Sequence, residues 1–349
     1  MVNLHRMRCA LSSRAVMDDH DHHAAPRDGT AGLADRIRRV LHHSHEHQVP
    51  LADTGAAGVR AAKVSLVGLG ITAALQALLV VITGSVALLS DTIHNLTDAL
   101  TAIPLWIAFS LGRRGSSKRY TFGLGRAEDL AGLAIVAAIA VSAGGVAWES
   151  TRRLLDPRSL EHVPWVIVAG LMGAVGNELV AEYRIRVGRR ISSEALIADG
   201  QHARADALTS LAVVAAGVGA ALNADWVDPA AGLLVAVMIL VLLRNSAARV
   251  FGRVLDAVDP ALVDRTAEVA QSVRGVVSVS DIRMRWHGHR MLVTLVAAVD
   301  PDLSVRQGHQ IAQAVVHDVM HAFSFTVEPL VHIDPSGERD AHHLTAHHD

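Results

Sequence analysis

Two stretches of this chain repeat one arrangement of acids and a histidine. Asp91, His94 and Asp98 lie in Asp-x-x-His-x-x-x-Asp-Ala-Leu-Thr, and the same pattern recurs at Asp199, His202 and Asp206. In each copy the His and the following Asp are four residues apart, so on a helix they share a face. Two imidazoles and two carboxylates, from His94, Asp98, His202 and Asp206, make a complete tetrahedral donor set for Zn²⁺. Asp91 and Asp199 have two readings: they cap helix ends, or they support the ligands from behind.

The surroundings make these charges expensive. The chain is 51% hydrophobic but only 3% aromatic. Its apolar content is Ala, Val, Leu and Gly, a composition suited to close-packed membrane helices. An ionised Asp near the bilayer centre costs about 2.5–3.5 kcal/mol on insertion scales, so such residues are usually functional. A bound cation would offset that cost, whereas packing alone would not.

Six apolar stretches are long enough to cross a bilayer: 64–83, 86–110, 129–148, 163–182, 195–222 and 227–243. The second and fifth carry the two motifs. Arg113, Arg114, Lys118 and Arg119 follow the second span, Arg184, Arg186, Arg189 and Arg190 the fourth, and Arg244, Arg249 and Arg253 the sixth. These clusters fall on one side, which the positive-inside rule makes cytoplasmic, together with both termini. Arg152, Arg153 and Arg158 in the loop 149–162 are an exception to the pattern. The two motif helices then run in opposite directions, as in the inverted repeats of many transporters. Glu178 and Arg204, both at membrane depth, are expected to pair in a buried bridge, and Glu182 with Arg186 on a helix surface.

Past residue 252 the pattern changes. Pro260 opens a helix over 260–273. Ile282, Met284 and Trp286 alternate with Arg283 and Arg285, giving a strand over 277–286. A turn at Gly288, a strand at 290–299, a helix at 304–321 and a strand at 326–333 complete an α-β-β-α-β order. The expected fold is thus an all-α six-helix transmembrane bundle (61–250) followed by a small α/β domain (251–335). Histidine-containing segments without regular structure flank them at 1–60 and 336–349. The α/β domain is marginal alone, and pairing with a second copy would help it.

These residues resemble the cation diffusion facilitator family of metal transporters. The resemblance covers about residues 60–335 and rests on Gly84-Ser-Val-Ala-Leu-Leu-Ser-Asp91, the His94/Asp98 pair, Tyr120-Thr-Phe-Gly-Leu-Gly-Arg-Ala-Glu-Asp129 and the His202/Asp206 pair. It implies a homodimer, proton-coupled export of divalent cations and a cytoplasmic tail domain of metallochaperone-like α/β fold. Relatives with two His/Asp pairs resemble zinc transporters. Tyr120 and Leu124 stand where some relatives carry ligands after span two, so that second site is expected to be absent. His309, His332 and Asp334 match tail-domain positions that bind zinc in relatives. Ser280 and Val296 replace histidines there, and His289 would compensate.

The mechanism expected from these residues is alternating access, with Zn²⁺ binding deprotonated ligands and outside protons displacing it. Co²⁺, Cd²⁺ and Ni²⁺ are alternative cargoes, because ligand type alone does not fix selectivity. Tail-bound zinc would act as a regulatory ligand. His20, His22, His23, His42, His43, His45 and His47, with His342, His343, His347 and His348, would bind metal weakly.

Other classes are disfavoured. A net charge of −2 gives no reason to expect a nucleic-acid partner. One cysteine, Cys9, excludes an intrachain disulfide and a Cys-based zinc finger. No His-Glu-x-x-His run supports a zinc protease, and no Gly-x-x-x-x-Gly-Lys loop supports ATP drive. No organic cofactor is expected, and the chain is read as a transporter rather than an enzyme. A metal sensor and an ion channel are the remaining rivals. No secretory signal is read in residues 1–16, and Met17 is an alternative start to Met1. The setting is an integral membrane protein of a bacterial-type inner membrane.

Overall fold

The computed structural model describes residues 51–83, 92, 96, 102–155, 163–224 and 226–337. The helices in the apolar part are α1 (Leu51–Thr83), α2 (Ala102–Gly112), α3 (Arg126–Leu155), α4 (Val163–Arg190), α5 (Glu194–Ala221) and α6 (Val227–Val254). Five of these, all but α2, are long and apolar enough to cross a membrane. The motif-bearing part of the second expected span, with Asp91, His94 and Asp98, lies outside the described residues. So do residues 1–50 and 338–349, with their histidines.

The helices outrun the apolar stretches that announce them. Hydropathy ends where charged side chains begin, but backbone hydrogen bonding continues. α3 runs on to Leu155 through Arg152 and Arg153. α4 carries four arginines in its last turns, where positive charge complements the helix dipole. α1 begins at Leu51, inside the segment expected to lack structure. Its first turns hold Ala52, Ala56, Ala57, Ala61 and Ala62, strong helix formers. In α6, Pro229 sits in the first turn, where its missing N–H is not needed.

Small side chains set the packing of this bundle. The core joins Ala61, Leu105, Ala108, Phe109, Ala131, Ile135, Ile139, Ala143, Ala195, Leu196, Ala198, Ala205, Val235 and Ile239. α4 and α5 form the tightest pair, α3 packs on α6, and α1 packs on α4 and α2. On the loop side of α3, Arg153 is held by Glu149 at 3.0 Å and by Asp228 of α6 at 3.0 Å.

The tail domain consists of α7 (Pro260–Ser272), β1 (Val276–His287), β2 (Arg290–Val299), α8 (Val305–His321) and β3 (Val327–Pro335), the α-β-β-α-β order expected. The sheet order is β1-β2-β3, with β1 antiparallel and β3 parallel to β2. The caps explain the boundaries. Asp259 accepts from the Ala261 N–H ahead of Pro260, and Ser304 forms a capping box with Gln307. Gly288 opens the two-residue hairpin loop at φ 62°, a conformation glycine reaches without strain. One sheet face buries Met291, Val293, Leu295, Ala297 and Val327 against Ala270, Val315, Val319 and Phe323.

Candidate metal site

The α4–α5 hairpin positions the second motif. Ser192 turns the chain at φ 57°, and the Ser193 side chain accepts from the Leu196 N–H at 3.1 Å, starting α5. The two helices then run antiparallel at close range, through Gly170 and Gly173 far from the turn and Gly188 and Gly200 near it. A Cβ on Gly200 would stand 3.0 Å from the Ala181 carbonyl oxygen and 3.1 Å from the Ile185 nitrogen. That contact is with backbone and cannot yield.

On the face this packing buries, the His202 and Asp206 side chains are 2% and 3% exposed. Their Nδ1 and Oδ2 atoms lie 3.9 Å apart, beyond hydrogen-bond length. Asn177 of α4, Gln76 of α1 and Ser210 of α5 are buried on neighbouring turns. The Gln76 Nε2 donates to the Ala169 carbonyl at 3.3 Å. A helical bundle of alanine and glycine thus holds a band of polar side chains at its centre, with one His/Asp pair of metal-ligand type. The other expected pair, His94 and Asp98, lies outside the described residues.

Asp199 is not a cap. It stands in the second turn of α5, fully buried, and its Oδ2 is 3.1 Å from Nη1 of Arg184 on α4. Arg184, grouped by sequence with a cytoplasmic loop cluster, is therefore inside the bundle. It is 1% exposed and is the largest fully buried side chain among the described residues. The helix continues past the apolar stretch, which turns this one arginine inward while Arg186 points out. The Glu178–Arg204 pair forms at 2.6 Å, but the side chains are 49% and 29% exposed rather than buried. The bridge lies on the outer face of the hairpin, where Arg204 also reaches Glu182 at 3.0 Å. Glu182 and Arg186 pair at 2.7 Å as expected.

In the tail domain, His332 Nε2 and Asp334 Oδ1 are 2.9 Å apart at the end of β3, and His309 is exposed on α8. His289 is engaged elsewhere: its Nδ1 lies 2.8 Å from Oε2 of Glu128, in the first turn of α3. The hairpin tip that carries it reaches the bundle, which sets His289 apart from His332 and Asp334 on β3 and His309 on α8. Among the described residues no three His, Cys, Asp or Glu side chains converge on one point.

That joint between tail and bundle was not evident from sequence. Arg253, at the end of α6, donates to the Gly288 carbonyl at 2.9 Å and the Ser192 carbonyl at 3.1 Å. Its guanidinium lies 3.8 Å from the centre of the Trp286 ring. Beside it His287 is buried against Gly125. Burial, and then the charges of Arg290, Arg126 and Arg285, hold its pKa below the usual histidine value. The signal available in sequence was the run Trp286-His-Gly-His, an aromatic and two histidines gathered at a tight turn.

An apolar helical bundle with buried ligand-type side chains, joined to a small α/β domain, defines an integral membrane protein that handles metal ions. Residues 62–251 match the cation efflux transmembrane domain, and residues 258–336 the cytoplasmic domain of cation efflux proteins, a dimerisation domain. The chain belongs to the cation efflux family, the cation diffusion facilitators. It is a divalent metal cation efflux transporter and not an enzyme. It is 50% identical over 322 residues to a probable cation efflux system protein of Mycobacterium tuberculosis, covering 91% of this chain and 95% of that one. It is 26% identical to the manganese efflux system protein MneP of Bacillus subtilis, covering 72% of this chain and 87% of the other. A solved C-terminal domain of MamM in a nickel form is 29% identical over 22% of this chain and 98% of that chain, with a TM-score of 0.21.

Proposed function

We propose that this protein exports Zn²⁺ from the cytoplasm in exchange for protons, by alternating access at a tetrahedral site of His94, Asp98, His202 and Asp206. The observation that carries this reading is the burial of His202 and Asp206 on one face of an apolar helix. The identical motif at 91–101 supplies the other two ligands. Two imidazoles favour zinc over ions that prefer an all-oxygen site, such as manganese. Deprotonated ligands bind the metal, and protons compete for the same atoms, so binding weakens in acid.

The orientation follows from charge. The basic residues after α2 and the exposed arginines at the ends of α4 and α6 face the cytoplasm, with both termini on that side of an inner membrane. Arg152, Arg153 and Arg158 remain an exception, and three basic clusters against one decide the orientation. The chain divides into a bundle at 61–250 and a dimer-forming tail domain at 251–335. In that dimer, His289, His309, His332 and Asp334 are candidate ligands for regulatory zinc.

The test is metal binding by the purified full chain in detergent, measured by calorimetry for Zn²⁺, Co²⁺, Cd²⁺, Ni²⁺ and Mn²⁺. The wild type should bind Zn²⁺ tightly and release protons as it does so. Asp206→Ala should lose that binding while remaining a folded dimer. Unchanged high-affinity binding in Asp206→Ala would remove Asp206 from the site.

A further inference from the structure

The buried pair of Arg184 and Asp199 is unexplained by stability. Their side chains are 1% and 0% exposed, and Nη1 and Oδ2 stand 3.1 Å apart. Arg184 also donates from Nη1 to the Asp199 backbone carbonyl at 3.4 Å. Among the described residues, neither makes an ion pair with any other group, and Nε and Nη2 of Arg184 make no hydrogen bond. A buried pair with so few supporting bonds gains little over apolar residues of the same size, while losing one partner is costly.

Its position gives it another use. Asp199 precedes His202 by three residues and Asp206 by seven, so all three lie along one stripe of α5. Seven residues of helix span about 10.5 Å. Asp199 is on the side of the site nearer the α4–α5 turn, and Arg184 approaches from the last third of α4. A bare carboxylate at that distance inside a low-dielectric bundle would draw a divalent cation strongly. Unopposed, it would hold the ion on the inner side instead of letting it pass.

We propose that Arg184 is a positioning residue for transport: it holds and neutralises Asp199 at the inner edge of the His202/Asp206 site, so that Asp199 does not trap the metal. This rests on the site assigned above. The pair sets how tightly the site holds its ion, and a transport site must release as well as bind.

The experiment is Zn²⁺ flux into proteoliposomes of the full chain, with KM and kcat measured separately for Arg184→Gln, Asp199→Asn, the double variant and Arg184→Lys. Arg184→Gln should lower KM roughly tenfold and lower kcat with it, because Asp199 is left unopposed. Asp199→Asn should raise KM roughly tenfold, because Arg184 then repels the ion. The double variant and Arg184→Lys should return KM to within about threefold of wild type. Opposite signs in the two single variants are not expected from a merely structural pair, whose loss reduces the folded, active fraction. KM shifts of the same sign, or none, overturn the proposal. If a single variant does not fold, the double variant and Arg184→Lys decide, since neither leaves a bare buried charge, and a tenfold shift in either overturns it. If wild type neither moves nor binds Zn²⁺, or Asp206→Ala transports normally, the site itself is wrong and this inference falls with it. A normal site with an unchanged KM in Arg184→Gln removes only Arg184.

Discussion

The bundle and the tail domain are two cores built by opposite rules. Among the described residues, the main core of the bundle buries seven alanines with Leu, Ile, Val and one Phe, and its closest helices meet at glycines. The tail buries Trp286, Phe323, Met291, Leu295 and a set of valines. In water, large apolar side chains supply the driving force, because burial removes area from solvent. Between membrane helices that force is absent, and close backbone approach takes its place. The tail should therefore suffer most when atoms are removed, and the bundle when atoms are added.

The largest stability effect is expected at the joint, where the tail's aromatic core meets the bundle. Trp286→Ala opens a cavity and removes the ring beneath Arg253, and should destabilise the tail by about 3–5 kcal/mol. Calorimetry of the full chain should show a tail transition moved to lower temperature with the bundle transition retained. In the bundle, Gly200→Ala should cost about 1–3 kcal/mol by overpacking, because the new methyl meets α4 backbone. A matched change in the tail, Gly308→Ala, meets only Ile333 at 3.7 Å and should stabilise α8 by up to about 1 kcal/mol, because alanine is the better helix former. Equal effects at the two glycines would erase the contrast. Ser304→Ala removes a helix cap far from either core and should cost about 1 kcal/mol, read in the tail transition alone.

The smallest effect concerns pH. His287 is held neutral below the usual histidine pKa by burial and neighbouring arginines. The unfolded chain then takes up this proton before the folded chain does, so stability rises with pH through that range and falls as acid is added. Hydrogen-exchange protection in residues 285–290, taken relative to the intrinsic exchange rate at each pH, should fall as pH drops below the usual histidine range. His287→Gln should flatten part of that dependence, and an unchanged pH profile would exclude His287 as its source.

Much of this was legible in the sequence, and the reasons differ by region. The tail elements could be placed within a residue or two because alternation and caps are local signals: Ile282, Met284 and Trp286 mark β1, and Ser304 and Pro260 mark helix starts. The bundle was legible as apolar stretches but not at its ends, since hydropathy stops at charges that helices pass through. The repeated motif singled out His202 and Asp206 because they are costly where they lie. Arg184 was misplaced because three exposed arginines follow it, and only the packing of α4 on α5 separates it from them. The contact of His289 with Glu128 spans 161 residues, a pairing no local pattern encodes. The sequence offered metal as a partner for that histidine, and the fold places a carboxylate beside it.

The most direct test of the central claim is Zn²⁺ flux into proteoliposomes under an imposed pH gradient, comparing wild type with Asp98→Ala and Asp206→Ala. Wild type should take up zinc saturably with protons moving the opposite way, and neither variant should take up zinc. Zinc flux that survives both substitutions, or that proceeds without proton countermovement, would contradict it.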